Sequence, residues 1–222
     1  MLSEQKFIWI FTLLSIASFI TLMEAPSPWG YYTLPVPGLL LLYFWFQNQG
    51  WMYRLFSIAW IGYVITDASY VIHHSFSSIL SSLLSILTII FTIAGFLTWR
   101  NGYIKKRAYI GLIAVAYGAG YFQLIHDAIP KELLAPIAVY AVFDAVIFIV
   151  VAGLNLKNSF SYMLCLFGVS TFLISDALYA FHFFVEPLEY GEPIMSILHN
   201  LSRLLFILGI LQENKSVVPS HQ

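Results

Sequence analysis

Eight long apolar runs, separated by short polar connections, make up almost the whole chain. They cover residues 6–23, 32–47, 54–74, 76–99, 105–126, 133–154, 160–185 and 190–211. Each is close to the ~20 residues that an α-helix needs to cross a bilayer's hydrocarbon layer. Helices are expected because every backbone N–H and C=O inside a bilayer must be satisfied within the segment. A transmembrane barrel would show ~10-residue stretches of alternating polarity, and none occur. The connections are too short to hold a soluble domain. The pattern therefore predicts an all-α polytopic integral membrane protein: one eight-helix transmembrane bundle over residues 1–212 and a short polar tail over 213–222. Pro35 and Pro37 sit near the start of the second run, where a helix tolerates proline. The first run is long for a signal-peptide core, and Met23-Glu24-Ala25-Pro26 is a poor cleavage site, so it is read as a retained helix.

Composition sharpens this picture. Of 222 residues, 60% are hydrophobic and 9% charged, against about a quarter charged in an average soluble domain. The mean hydropathy is +0.82 and the formal net charge is -1. A soluble domain, a disordered chain and a nucleic-acid binder are excluded, the last for want of a basic patch. The single cysteine, Cys165, excludes a disulfide framework and a cysteine-based zinc site. Orientation follows from the basic residues. With the N-terminus in the cytoplasm, Lys6, Arg54, Arg100, Lys105, Lys106, Arg107, Lys157 and Lys215 all lie on that side, and only Lys131 lies outside. Arg203 falls within the last run. Eight spans return the C-terminus to the cytoplasm, and Trp29, Tyr31 and Tyr32 read as an outer interfacial belt. The expected location is a bacterial inner membrane.

Two runs echo each other. The third contains Ile65-Thr66-Asp67-Ala68-Ser69-Tyr70-Val71-Ile72-His73, and the seventh Ile174-Ser175-Asp176-Ala177-Leu178-Tyr179-Ala180-Phe181-His182. The shared pattern is I-[TS]-D-A-x-Y-x-x-H at an offset of four helices, so both copies run the same way. That suggests a parallel 4+4 repeat about an axis along the membrane normal. Asp67 is thirteen residues into its run and Asp176 sixteen, which puts both in the outer half of the bilayer. An aspartate at this depth costs ~2.5–3.5 kcal/mol on insertion scales, so it faces the bundle interior and is read as functional. Asp144 lies near the middle of the sixth run, where structural glue and function weigh equally. If the two repeat aspartates converge, one stays protonated and acts as an acid while the other stays ionised.

Other polar residues are candidates for support. Tyr70 and Tyr179 each follow an aspartate by three residues, on nearly the same helix face; they either donate to the carboxylates or simply pack. His199, Asn200 and Arg203 form a polar face on the last run. Arg203 needs an anionic partner inside a span. Asp144 or Asp176 would serve, as would a lipid phosphate held by the guanidinium fork. His73, His74, His126 and His182 gather toward the outer side, but no HxxxH or HExxH spacing places them as zinc ligands. No GxGxxG, P-loop or nucleophile elbow is present. No lysine lies in the core of the last two runs, which excludes a retinal Schiff base. The motifs call for no cofactor.

These residues resemble the YhhN family of membrane proteins, which includes the eukaryotic lysoplasmalogenases. Tyr32-Thr33-Leu34-Pro35 resembles the family's second-helix start. Gly62-Tyr63-Val64-Ile65-Thr66-Asp67 resembles its third-helix motif ending in aspartate. Phe172-Leu173-Ile174-Ser175-Asp176-Ala177-Leu178 is similar to its Phe-x-x-Ser-Asp-x-x-Leu signature. The family lysine before the proline is Leu34 here, the glycine before the first aspartate is Thr66, and the histidine of the fourth helix is missing from Ala94-Gly95-Phe96-Leu97-Thr98-Trp99. The eighth-helix motif is replaced by His199-Asn200-Leu201-Ser202-Arg203. These departures mark a divergent member.

The resemblance implies hydrolysis of the vinyl ether bond of a lysoplasmalogen-type lysophospholipid drawn from the bilayer, with release of a fatty aldehyde. The chemistry suits paired carboxylates: one protonates the vinyl ether and the other stabilises the cation and activates water, a division of labour shared with glycosidases. Asp67 and Asp176 are the expected catalytic residues. Tyr70, Asp144, Tyr179, His199, Asn200 and Arg203 are expected to bind substrate. Two alternatives are a non-enzymatic lipid or small-molecule binder or carrier, and an intramembrane zinc-dependent lipid hydrolase.

Overall fold

The computed structural model describes residues 3–24, 35–47, 51–70, 75–99 and 102–217. Its helices in chain order are α1 (Glu4–Glu24), α2 (Pro35–Gln47), α3 (Trp51–Tyr70), α4 (Ser75–Trp99), α5 (Lys105–Ala108), α6 (Ile110–Ile125), α7 (Lys131–Ala152), α8 (Ser159–Phe184) and α9 (Gly191–Val217). A 3-10 turn, His126–Ala128, follows α6. Trp29, Tyr31, Tyr32, His73 and His74 lie outside the described residues.

Among the described residues, six stretches are long and apolar enough to cross a membrane: Glu4–Met23, Ser82–Trp99, Lys105–Ala128, Lys131–Ala152, Ser159–Phe184 and Gly191–Asn214. They correspond to the first, fourth and fifth to eighth apolar runs. α2, at 13 residues, rises only about 20 Å, short of the ~30 Å hydrocarbon layer. α3 lies beside it and packs on α4. The fifth run is broken at Tyr109, where α5 ends and α6 begins.

Side-chain contacts fix how the helices run. Gln212 of α9 donates to Glu4 of α1 at 3.0 Å, and Asn214 of α9 donates to the Tyr53 hydroxyl near the start of α3. Glu213 accepts from the backbone of Lys157 and Asn158 just before α8. Tyr103, just before α5, bridges to Leu154, just after α7. The starts of α1, α3, α5 and α8 and the ends of α7 and α9 therefore share one end of the bundle. Lys105, Lys106, Arg107 and Lys157 sit there, so it is called the basic end. The other end is the far end.

The composition of the C-terminus suggests a tail from residue 213, but α9 continues to Val217. The polar residues 212–214 are each anchored to another element; Gln212 and Asn214 are half-buried, and Glu213 is only 1% exposed.

The most extensive packing joins α8 with α9 and α3 with α4. Small residues permit it, as expected where apolar burial between helices gives little driving force. A Cβ on Gly62 of α3 would meet Thr88 Oγ1 of α4 at 2.2 Å, and one on Gly209 of α9 would meet Cys165 Sγ of α8 at 2.6 Å. Further pairs are α1 with α2, α2 with α3, α6 with α7, α7 with α8, α4 with α7 and α2 with α9. Aromatic rings fill the centre: Phe44, Phe56, Trp60, Phe96 and Phe206 meet in edge and tilted contacts from four helices. Large apolar residues such as Trp9, Leu13, Leu112, Ile113, Leu124 and Phe167 are exposed on the outside. Such a surface suits lipid as its solvent.

Candidate functional site

Asp176 is the hub of a polar layer inside the bundle. It lies on α8, eight residues before the helix ends at Phe184, or about 12 Å below the far end at 1.5 Å per residue. His199 is eight residues past the start of α9 at the same end, so the close α8–α9 pairing brings the two to one depth. His199 Nε2 lies 2.7 Å from Asp176 Oδ1. The other carboxyl oxygen, Oδ2, accepts a 2.8 Å hydrogen bond from the Tyr140 hydroxyl of α7. Asp144, one helical turn further along α7, is 8% exposed and lies within hydrogen-bonding reach of Asp176. A hydrogen bond between two carboxyls requires a proton on one of them, because an ionised carboxylate only accepts.

Behind Asp176 the network continues. Ser175 Oγ is fully buried, donates to the Met195 carbonyl at 3.1 Å and lies 3.2 Å from His199 Nδ1. The Phe172 ring meets the His199 ring at 5.6 Å with an interplanar angle of 65°. The side chains of Asp176 and His199 keep 11% and 23% of their accessible surface, so the hub is enclosed but not sealed.

Arg203 belongs to a second group of buried polar residues next to the first. It follows His199 by one turn on α9 and is 4% exposed. Its guanidinium lies 4.6 Å from the centre of the Tyr63 ring of α3, and Nη1 is 3.5 Å from Asn200 Oδ1. A guanidinium over an aromatic face is attracted by the ring quadrupole, and more strongly when both are desolvated. The Tyr63 hydroxyl meets Thr92 of α4, and Tyr63 lies within electrostatic reach of Arg203, Asp176 and Asp144. This ring links the two groups.

Of the residues singled out from the sequence, Asp144, Asp176, His199, Asn200 and Arg203 come together in this region. Asp67 follows Tyr63 by four residues on α3, so it sits on the same helix face one turn nearer the far end. The side chains of Asp67 and Tyr70 lie outside the described residues. Tyr179 packs on Phe183 at 4.4 Å, and Tyr140 of α7 donates to Asp176. His199 is the basic side chain that the structure places on Asp176; Asp144, Asp176 and a lipid phosphate were all open as partners of Arg203. Tyr63, Tyr140 and Ser175 were not marked as site residues. Nothing local marks Tyr140, which is 36 positions from Asp176. Ser175 stands in the repeat and in the Phe-x-x-Ser-Asp-x-x-Leu stretch, but neither pattern gave it a role.

The histidines of the metal hypothesis are engaged otherwise where they are described. His126 pairs with Asp127 at 3.0 Å, and His182 Nδ1 accepts from the Leu188 backbone at 2.9 Å, closing the α8–α9 turn. Among the described residues no group of three or more histidine, cysteine, aspartate and glutamate side chains is arranged to hold a metal ion.

No family model, curated protein or solved structure matches the chain.

Proposed function

We propose that the chain is an intramembrane hydrolase of the vinyl ether bond in lysoplasmalogen-type lysophospholipids, with Asp176 as its proton-donating carboxyl. The observation that carries the reading is the set of contacts on Asp176: an imidazole, a phenol and a second carboxyl converge on one side chain inside an apolar bundle. An acidic residue there costs several kcal/mol unless it is used or satisfied. Three partners around a shared proton suit a group that gives a proton up and takes it back.

The chemistry has four steps. A proton held between Asp176, Asp144 and His199 passes to the β-carbon of the vinyl ether. The C=C π bond supplies the electron pair, and an oxocarbenium ion forms. Water adds to the cationic carbon and loses a proton to the carboxylate just vacated. The hemiacetal then collapses to a fatty aldehyde and the free hydroxyl of the glycerophospho-headgroup. The net change is addition of one water, and the site regains its proton. Asp67, on the face of α3 that carries Tyr63, is the carboxylate proposed to stabilise the cation. Arg203 and Asn200 are proposed to bind the headgroup side.

The finer architecture belongs to the same proposal: eight spans, with α2 and α3 as the second and third, both termini cytoplasmic, and a bacterial inner membrane as the location. The basic end carries the residues that the positive-inside rule would place in the cytoplasm. The packing order supports the parallel 4+4 repeat. α1–α2 corresponds to α6–α7, α2–α3 to α7–α8 and α3–α4 to α8–α9; between the halves, α2–α9 corresponds to α4–α7, whereas the α1–α9 packing has no counterpart of similar extent between α4 and α6. The same symmetry also suits a carrier, which would move a lysolipid intact.

The test is aldehyde release from a vinyl-ether lysophospholipid by purified protein, with Asp176→Asn and Asp144→Asn alongside. The matching alkyl-ether lipid, which has no double bond to protonate, is the control. Release confined to the vinyl ether, with about a hundredfold loss in either variant, supports the reading. No release from folded parent protein refutes it, and transport of intact lysolipid by the same preparation would favour the carrier.

A further inference from the structure

We infer that Ser175 is a positioning residue: it holds a proton on His199 Nδ1 and so reserves Nε2 for exchange with Asp176. A serine hydroxyl has a single proton to donate, and a backbone carbonyl has none. The 3.1 Å contact between Ser175 Oγ and the Met195 carbonyl therefore takes the serine proton. Ser175 Oγ is then left as an acceptor toward His199 Nδ1 at 3.2 Å. Only a protonated Nδ1 satisfies both contacts at once; a bare one would draw the serine proton away from the Met195 carbonyl. Ser175 is fully buried, so solvent does not supply another arrangement.

Two further features fix the ring. Met195 and His199 are four residues apart on α9, so Ser175 spans one helical turn and grips both its backbone and its side chain. Phe172, one turn before Ser175 on α8, lies edge-on to the imidazole at 5.6 Å and limits its tilt. With Nδ1 committed, the 2.7 Å contact from Nε2 to Asp176 Oδ1 carries one proton. Moving it breaks one N–H bond, forms one O–H bond and leaves a neutral imidazole still protonated on Nδ1. No ring rotation is needed. The same geometry removes Ser175 from consideration as a nucleophile: its proton points at a carbonyl, not at a base.

The catalytic consequence rests on the proposed hydrolase; the tautomer rests on the contacts alone. The test is therefore spectroscopic first. The chain has six histidines. Protein labelled with 15N-histidine is placed in phosphatidylcholine nanodiscs, and long-range 1H–15N spectra are recorded, with His199→Gln identifying the His199 signals. The expected parent spectrum has Nδ1 protonated, and Nε2 either protonated or a hydrogen-bonded acceptor. Ser175→Ala is expected to shift the Nδ1 signal and speed its exchange with water, and Ser175→Thr to restore it. A neutral His199 with a bare Nδ1 and its proton on Nε2 overturns the inference, even if no serine variant folds. So does a His199 spectrum unchanged by Ser175→Ala. If the parent releases aldehyde, Ser175→Ala is expected to lower kcat about tenfold at constant KM. If the parent is inactive but Nδ1 is protonated, the hydrolase falls and the positioning role of Ser175 stands.

Discussion

Glu213 offers the sharpest stability prediction, because two backbone N–H groups converge on its carboxylate. Its carboxylate, 1% exposed, accepts from the Lys157 N–H at 2.7 Å and from the Asn158 N–H at 2.9 Å. Asn158 is also the N-cap of α8, where its side chain accepts from Phe160. The last turn of α9 thus supplies a negative charge to the N-terminus of α8, where the helix dipole favours one. A hydrogen bond to a charged group contributes roughly 1.5–3 kcal/mol. Lys157 is exposed and Asn158 half-buried, so water can partly replace the lost acceptor, and the lower figure applies. Glu213→Ala, losing both bonds, is expected to cost about 3 kcal/mol. Glu213→Gln keeps one acceptor but turns an N–H toward an N–H, and is expected to cost about 2 kcal/mol. For a chain of this size ~1 kcal/mol shifts Tm by about 2–4 °C, so the expected drops are about 6–12 °C and 4–8 °C. Tryptophan fluorescence melts in one detergent, at one scan rate, measure this. Melting of both variants within about 2 °C of the parent would refute the reasoning, since it would mean that the buried carboxylate holds nothing together.

Two further outcomes are expected. Gly62→Ala places a Cβ 2.2 Å from Thr88 Oγ1 and should cost about 1–3 kcal/mol by overpacking; Thr88→Ala in the same chain should recover much of it, and strictly additive losses in a melting series would count against this contact. In right-side-out vesicles, Glu189→Cys should react with a membrane-impermeant thiol reagent and Lys106→Cys should not, the buried native Cys165 staying silent; the reverse pattern would invert the proposed orientation.

Much of the architecture is legible in the sequence because bilayer thickness imposes a length on each apolar run. The apolar spans that end at Met23 and Trp99 stop where the runs end, and the one that ends at Ala152 stops two residues before its run does. The tail was misjudged because composition cannot distinguish a polar residue in water from one that caps a neighbour. Glu213 reads as soluble, yet it is buried against two backbone N–H groups. The interior is harder still to read. In a soluble helix polarity marks the outward face, but here lipid and core are both apolar. Tyr140 and Tyr179 are thus indistinguishable by pattern, and spacing along the chain favours the tyrosine on Asp176's own helix. The donor comes from α7 because helix packing, which the sequence does not state, turns that face inward.

The same reasoning explains why the two aspartates of the repeat need not carry equal weight. Asp67 and Asp176 share a local motif, but an aspartate inside a bundle takes its chemistry from the helices beside it. Asp176 draws on α7 and α9, which supply Tyr140, Asp144 and His199. The helices that would correspond under a 4+4 repeat are α2 and α4. Neither contains a histidine or a charged residue: α2 offers Tyr43, and α4 only serines and threonines besides its apolar residues. The second copy thus has the means to hold and pass a proton, and the first has hydroxyls. This asymmetry follows from residue types alone. Under the proposed hydrolysis, Asp176 would donate the proton and Asp67 would stabilise the charge, so the loss in Asp176→Asn should exceed that in Asp67→Asn.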